Sequence, residues 1–114
     1  MQGIQSVIYP VKDLAKAKEL YSKLLGVEPY FDQPFYVGFQ IGAGQEIGLD
    51  PNGHAEGMTG PVSYWKVEDI QQALKSFLAT GATTHQDAKD VGGGMLMATV
   101  KDADDNTIGL IQLV

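Results

Sequence analysis

The sequence predicts an α+β fold in which one β-α-β-β-β unit occurs twice in tandem. Three observations predict it. Val11-Lys12-Asp13-Leu14 recurs as Val67-Glu68-Asp69-Ile70, with Ala17 answered by Ala73 and Tyr21 by Phe77. Ile47-Gly48-Leu49 recurs as Ile108-Gly109-Leu110, at a slightly wider spacing that one longer loop in the second copy would produce. The length of 114 residues allows one domain, or two small halves sharing a core. We therefore read residues 1–114 as a single domain with a first module at 4–50, a linker at 51–60 and a second module at 61–113.

Each copy justifies its elements in the same order. Residues 4–11 and 62–67 are β-rich and short enough to be strands, and each leads to an aspartate able to cap a helix. From Asp13, Leu14, Ala17, Leu20, Tyr21, Leu24 and Leu25 recur at threes and fours, which predicts one apolar helical stripe ending at Gly26. From Asp69 the stripe is Ile70, Ala73, Leu74, Phe77 and Leu78, with Gln72 placed for a capping box and Gly81 as the stop. Three strands follow each helix, near 27–31, 35–41 and 45–50, then near 83–86, 95–100 and 107–113. Gly42-Ala43-Gly44 and Asp102-Ala103-Asp104-Asp105-Asn106 supply turns, and the glycines of 51–60 suit a linker. A single copy would leave one sheet face bare; pairing two copies covers it and encloses a cleft.

Composition removes several function classes. There is no cysteine, which excludes disulfides, thiolate metal sites and a cysteine nucleophile. Eight lysines and no arginine stand against 14 acids, and a net charge of -6 opposes binding to nucleic-acid phosphates. No stretch approaches the roughly 20 apolar residues of a membrane span, and the N-terminus lacks a signal-peptide pattern. We expect no membrane partner and a cytoplasmic location. Glycine, at 14 residues, is in excess, and Gly38 falls within a strand where neither turn nor cap explains it.

The strand end Val11-Lys12-Asp13-Leu14, the helix ending Leu24-Leu25-Gly26 and the closing Asp102-x-Asp104-x-Asn106-x-Ile108-Gly109-Leu110 together resemble the vicinal oxygen chelate superfamily. That superfamily includes glyoxalase I, extradiol dioxygenases, fosfomycin-resistance enzymes and bleomycin-resistance binding proteins. The resemblance covers essentially the whole chain. It implies a curved, mixed, eight-stranded sheet around a cleft, helices on the outer face, and commonly a homodimer. In its metal-dependent members, a histidine or other donor on the first strand of each module and a glutamate on the last hold the ion. Those positions fall here on Ser6 and Val62, and on Gly48 and Gly109. Valine and glycine offer no side-chain donor and a lone serine hydroxyl is a poor one, so no metal and no cofactor are expected. His54 and His85 stand apart without partners at ligand spacing. Asp102-x-Asp104-x-Asn106 lacks the glycine and closing glutamate of a calcium loop, and Gly92-Gly93-Gly94 lacks the lysine of a phosphate loop.

Strand parity then assigns the cleft. If Ser6 and Val62 point inward as the ligand positions do in the family, Ile4, Ile8, Tyr64 and Lys66 share their face; Gly48 brings Glu46 and Asp50, and Gly109 brings Thr107 and Ile111. With Phe39 and Met97, the expected ligand-binding set is Ser6, Ile8, Phe39, Glu46, Gly48, Asp50, Val62, Tyr64, Met97, Gly109 and Ile111. No catalytic residue is assigned. An apolar and aromatic cleft with an acidic edge suits an apolar, aromatic or cationic small molecule, bound without metal. One alternative is an enzyme of the same superfamily, a lyase, isomerase or dioxygenase-like protein, working through Glu46, Asp50, Tyr64 or Lys66. The other is a ligandless dimeric interaction domain in which the aromatic side chains fill the cleft.

Overall fold

A computed structural model describes residues 1–114. Its elements run β1(Ile4–Pro10), α1(Leu14–Leu25), β2(Phe31–Gln33), β3(Tyr36–Ile41), β4(Gln45–Asp50), β5(Val62–Lys66), α2(Ile70–Ala79), β6(Thr83–Asp90), β7(Leu96–Lys101) and β8(Thr107–Gln112). The eight strands and two helices form the expected tandem βαβββ modules. By packing, the chain divides into one unit of Ser6–Val62 and another of Ser63–Val114 together with Met1–Gln5. No helix is long and apolar enough to cross a membrane.

In the Ser6–Val62 unit the strand order is β2-β3-β4-β1. β1 runs parallel to β4, and β4–β3 and β3–β2 are antiparallel. Helix α1 starts where Asp13 accepts a hydrogen bond from the Lys16 amide, and ends at Gly26, whose φ of 72° is the left-handed cap that glycine adopts without steric cost. Its inner stripe is Leu14, Ala17, Tyr21 and Leu25, packed on the fully buried Val37, Phe39 and Leu49. Leu20 and Leu24, expected in that stripe, are exposed. Successive helical residues differ by about 100° in direction, so when Tyr21 and Leu25 face the sheet, the residue before each points well away from it. β2 begins at Phe31, later than the expected 27–31 strand, because its pairing partners are dictated by the tight Pro34-Phe35 turn that follows Gln33. Residues 51–60 are not a loose linker. Turn hydrogen bonds from Gly53 to Asp50, and from Glu56 and Met58 back to Gly53, fold the segment upon itself, with Gly53 close against Pro10 and Met58.

The other unit has the order β5-β8-β7-β6, with β5 parallel to β8 and the rest antiparallel. Asp69 caps α2 by accepting from the Gln71 and Gln72 amides. Ile70 and Leu74 bury themselves with Val67, Ala98, Val100 and Leu110, flanked by Ala73 and Phe77, whereas Leu78 lies outside that stripe and is exposed. β6 is longer than expected, reaching Asp90 through two register shifts. At the β7–β8 turn the Asp102 carboxylate accepts from the Asp104 and Asn106 amides and from the Asn106 side chain; these bonds and the Lys101 ammonium hold its pKa below the usual range. Asp105 there takes a φ of 66°, a left-handed conformation that side chains other than glycine, asparagine and aspartate adopt less readily.

Candidate functional site

The face of the Ser6–Val62 sheet opposite α1 follows from parity. Val37, Phe39 and Leu49 turn toward the helix, so Tyr36 and Gly38 on β3, and Glu46, Gly48 and Asp50 on β4, turn away from it. The register aligns these residues across the strands. Ser6 lies beside Glu46 and Ile8 beside Gly48; Gly38 pairs with Gly48 on one side and with Phe31 on the other.

Gly38 and Gly48 thus make a two-residue floor without side chains, and two tyrosines lie across it. A Cβ on Gly48 would overlap the Tyr36 hydroxyl, and one on Gly38 would stand 3.1 Å from a Tyr30 ring carbon and 3.2 Å from a Glu46 carboxylate oxygen. Over that floor the Tyr30 hydroxyl donates to Glu46 Oε1 and the Tyr36 hydroxyl donates to Oε2. Burial, these bonds and the carboxylate's charge push the Tyr30 pKa up to about 12, and the same causes raise that of Tyr36 further, with a contribution from Asp50. Both phenols therefore remain protonated donors at neutral pH. No ion pair of the chain involves Glu46, so its negative charge is solvated by phenols and left without a counter-charge. Around it, Phe31 packs 6.2 Å from Tyr36 and 5.9 Å from Phe35, centroid to centroid. Tyr30, Phe31 and Phe35 are 55%, 38% and 59% exposed.

The structure brings together Ser6, Ile8, Glu46, Gly48 and Asp50 of the expected set on this one face. Phe39 is a correction: it is fully buried beneath α1, because it alternates with Gly38 and Gln40 and so points to the helix side. Val62 is buried at the start of β5. In the other unit Tyr64 pairs with Gly109 and its ring lies on that glycine, where a Cβ would come within 2.5 Å of Cδ1. Met97 pairs with Ile111 on the same sheet, and next to them the hydroxyl of Thr99, opposite Gly109, is buried without a partner. Lys66 ends β5 and bonds through its backbone with Gln2 and Gly3. A groove of about 940 Å³ at the α2 start of this unit, lined by residues such as Gln2, Asp69, Phe77 and Gln112, contains none of the expected set.

Tyr30, Tyr36, Phe31 and Phe35 were not anticipated. Gly38 held the available signal: an unexplained glycine within a strand marks a close approach, and residue 36 shares its face.

The family model for the Glyoxalase/Bleomycin resistance protein/Dioxygenase superfamily matches residues 3–110. The chain belongs to that superfamily. Its fold is shared with solved structures at low identity. A glyoxalase/bleomycin resistance protein/dioxygenase superfamily member from Vibrio splendidus is 15% identical, with TM-score 0.71 over 95% of this chain and 97% of that one. Methylmalonyl-CoA epimerase from Mycobacterium tuberculosis is 18% identical, with TM-score 0.72 over 98% and 88%. A structure described as NAD-dependent benzaldehyde dehydrogenase from Legionella pneumophila is 18% identical, with TM-score 0.76 over 96% and 98%. No curated protein sequence matches.

A divalent ion of the superfamily's enzymes does not fit the donor set. Gly48 lies beneath the Tyr36 hydroxyl and Gly109 beneath the Tyr64 ring, so neither position admits a carboxylate in place of hydrogen. No three His, Asp or Glu side chains gather anywhere in the chain, and His54 and His85 are both exposed and remote in sequence.

Proposed function

We propose that this superfamily member is a metal-independent small-molecule-binding protein that holds an apolar, aromatic or cationic compound on the Glu46 face of the Ser6–Val62 sheet. The carrying observation is Glu46 itself: a carboxylate fixed by two tyrosine hydroxyls over a glycine floor, with aromatic rings open to solvent beside it. Apolar walls with a few oriented polar groups are how such sites combine affinity with orientation. We further propose a homodimer in the cytoplasm; the exposed Leu20 and Leu24 on α1 support self-association.

Titration of the labelled protein, in chelator, with a panel of neutral and cationic aromatic compounds tests the binding reading. We expect at least one compound to shift the Gly38 and Gly48 amide resonances in a saturable way. Shifts confined to other residues, or none with any compound, would overturn it.

The epimerase likeness favours a second reading, an enzyme of the same superfamily. Glu46 would be its base, since both of its oxygens are oriented by tyrosine hydroxyls on the open sheet face. Turnover that persists in chelator and is lost in Glu46→Gln is the result that reading requires.

A further inference from the structure

We propose that the Glu46 face recognises an alkylated onium group, a quaternary ammonium carried on an organic molecule; this rests on the binding reading above and narrows it to one ligand chemistry. Three observations converge. The first is charge. Glu46 has no cationic partner within the chain, and Asp50 lies on the same strand face, so the floor presents uncompensated negative potential. The second is the kind of wall around it. Tyr36, Phe31 and Phe35 form a continuous series whose ring planes are inclined at 57° and 72°. A cation within about 6 Å of such faces is attracted by the ring quadrupoles, and rings set at angles to one another are how quaternary ammonium groups are caged.

The third is hydrogen-bond capacity. A carboxylate offers about four lone-pair positions, and the two tyrosine hydroxyls take one on each oxygen. A primary ammonium brings three N–H donors, and its strong hydration opposes transfer onto aromatic faces. A trimethylammonium brings none. It keeps the full charge, needs no acceptor and loses less hydration when its methyl groups meet the rings. The tyrosines therefore do more than hold Glu46 still. By occupying two of its acceptor positions they reduce what it offers to cations that donate.

Titration calorimetry with benzyltrimethylammonium, benzylamine and benzyl alcohol, with the Gly38 and Gly48 amide resonances followed in parallel, separates the outcomes. We expect benzyltrimethylammonium to bind at least about tenfold more tightly than benzyl alcohol. It should also exceed benzylamine, weaken about tenfold in Glu46→Gln, and weaken severalfold in Phe31→Leu and Phe35→Leu. Glu46→Gln keeps the side-chain shape and an acceptor oxygen for a tyrosine, and its unfolding midpoint reports separately whether it has folded. Binding of benzyl alcohol at these resonances equal to that of benzyltrimethylammonium would overturn the onium inference and leave the binding reading standing. So would benzylamine binding more tightly than the quaternary compound. If none of the three, nor any other compound, perturbed Gly38 and Gly48, both would fall. A concentration-dependent dimer abolished by Phe35→Ser, with no ligand effect, would assign the exposed rings to a second copy of the chain and likewise overturn the inference.

Discussion

Gly38 and Gly48 determine where two aromatic side chains can lie. Because they are neighbours in register, they remove side chains from adjacent strands at one level of the sheet, and Tyr30 and Tyr36 reach Glu46 across the gap. Substitution should therefore be graded. Gly48→Ala drives a methyl into the Tyr36 hydroxyl and should destabilise by about 1–3 kcal/mol, the usual cost of overpacking, with loss of the Tyr36–Glu46 bond. Gly38→Ala asks the Tyr30 ring to give by only a few tenths of an ångström, so it should cost clearly less. Urea midpoints of the two variants check the ranking, and an inverted order would mean that Tyr36 does not rest on Gly48. The same tyrosines predict alkaline behaviour. A phenol whose pKa rises from an unfolded value near 10 to about 12 in the folded state keeps its proton longer when folded. Its contribution is complete below pH about 10 and is lost as pH rises through the folded value. The wild-type midpoint should fall across that window more steeply than that of Tyr30→Phe, and parallel curves would refute the coupling to Glu46.

At the scale of elements, α1 shows how a helix with alternative apolar positions selects one face. Leu14, Ala17, Tyr21 and Leu25 meet the sheet, and Leu20 and Leu24 do not. In the dissociated chain, Leu25→Ala should cost about 1–3 kcal/mol in unfolding free energy, since it is partly buried, whereas Leu24→Ala should stay within about 0.5 kcal/mol. If the proposed dimer packs through α1, Leu24→Ala gains a cost only at concentrations where the dimer forms; no change with concentration would remove Leu24 from that contact. The β strands divided differently. Strand β4 matched its expected bounds because the turn Gly42-Ala43-Gly44 and the alternation around Gly48 both mark it. β2 did not, since a three-residue edge strand carries too little pattern to locate and its position is set by pairing with β3.

For the whole molecule, the donor set predicts indifference to metal. Chelator should leave the thermal midpoint unchanged, and an equimolar divalent transition ion should not raise it, because a ligand selective for the folded state would stabilise it. A rise with one ion would show that donors outside positions 6, 48, 62 and 109 assemble a site. The repeated strand-aspartate-helix pattern, the two matched glycines and the absence of cysteine were legible in the chain itself, because each depends on local chemistry or on short periodicities. They were sufficient for the tandem modules and the superfamily. The Glu46 pair with Tyr30 and Tyr36 was not legible, and neither was the burial of Phe39 on the opposite face. Both depend on which residues of β3 lie beside which residues of β4, and that register arises from long-range pairing. Sequence alone therefore determined the tandem modules and the family. Only the tertiary structure decided what came to lie over Gly38 and Gly48: two phenols and a carboxylate, brought together because hydrogen-bonded strands align residues that are distant along the chain.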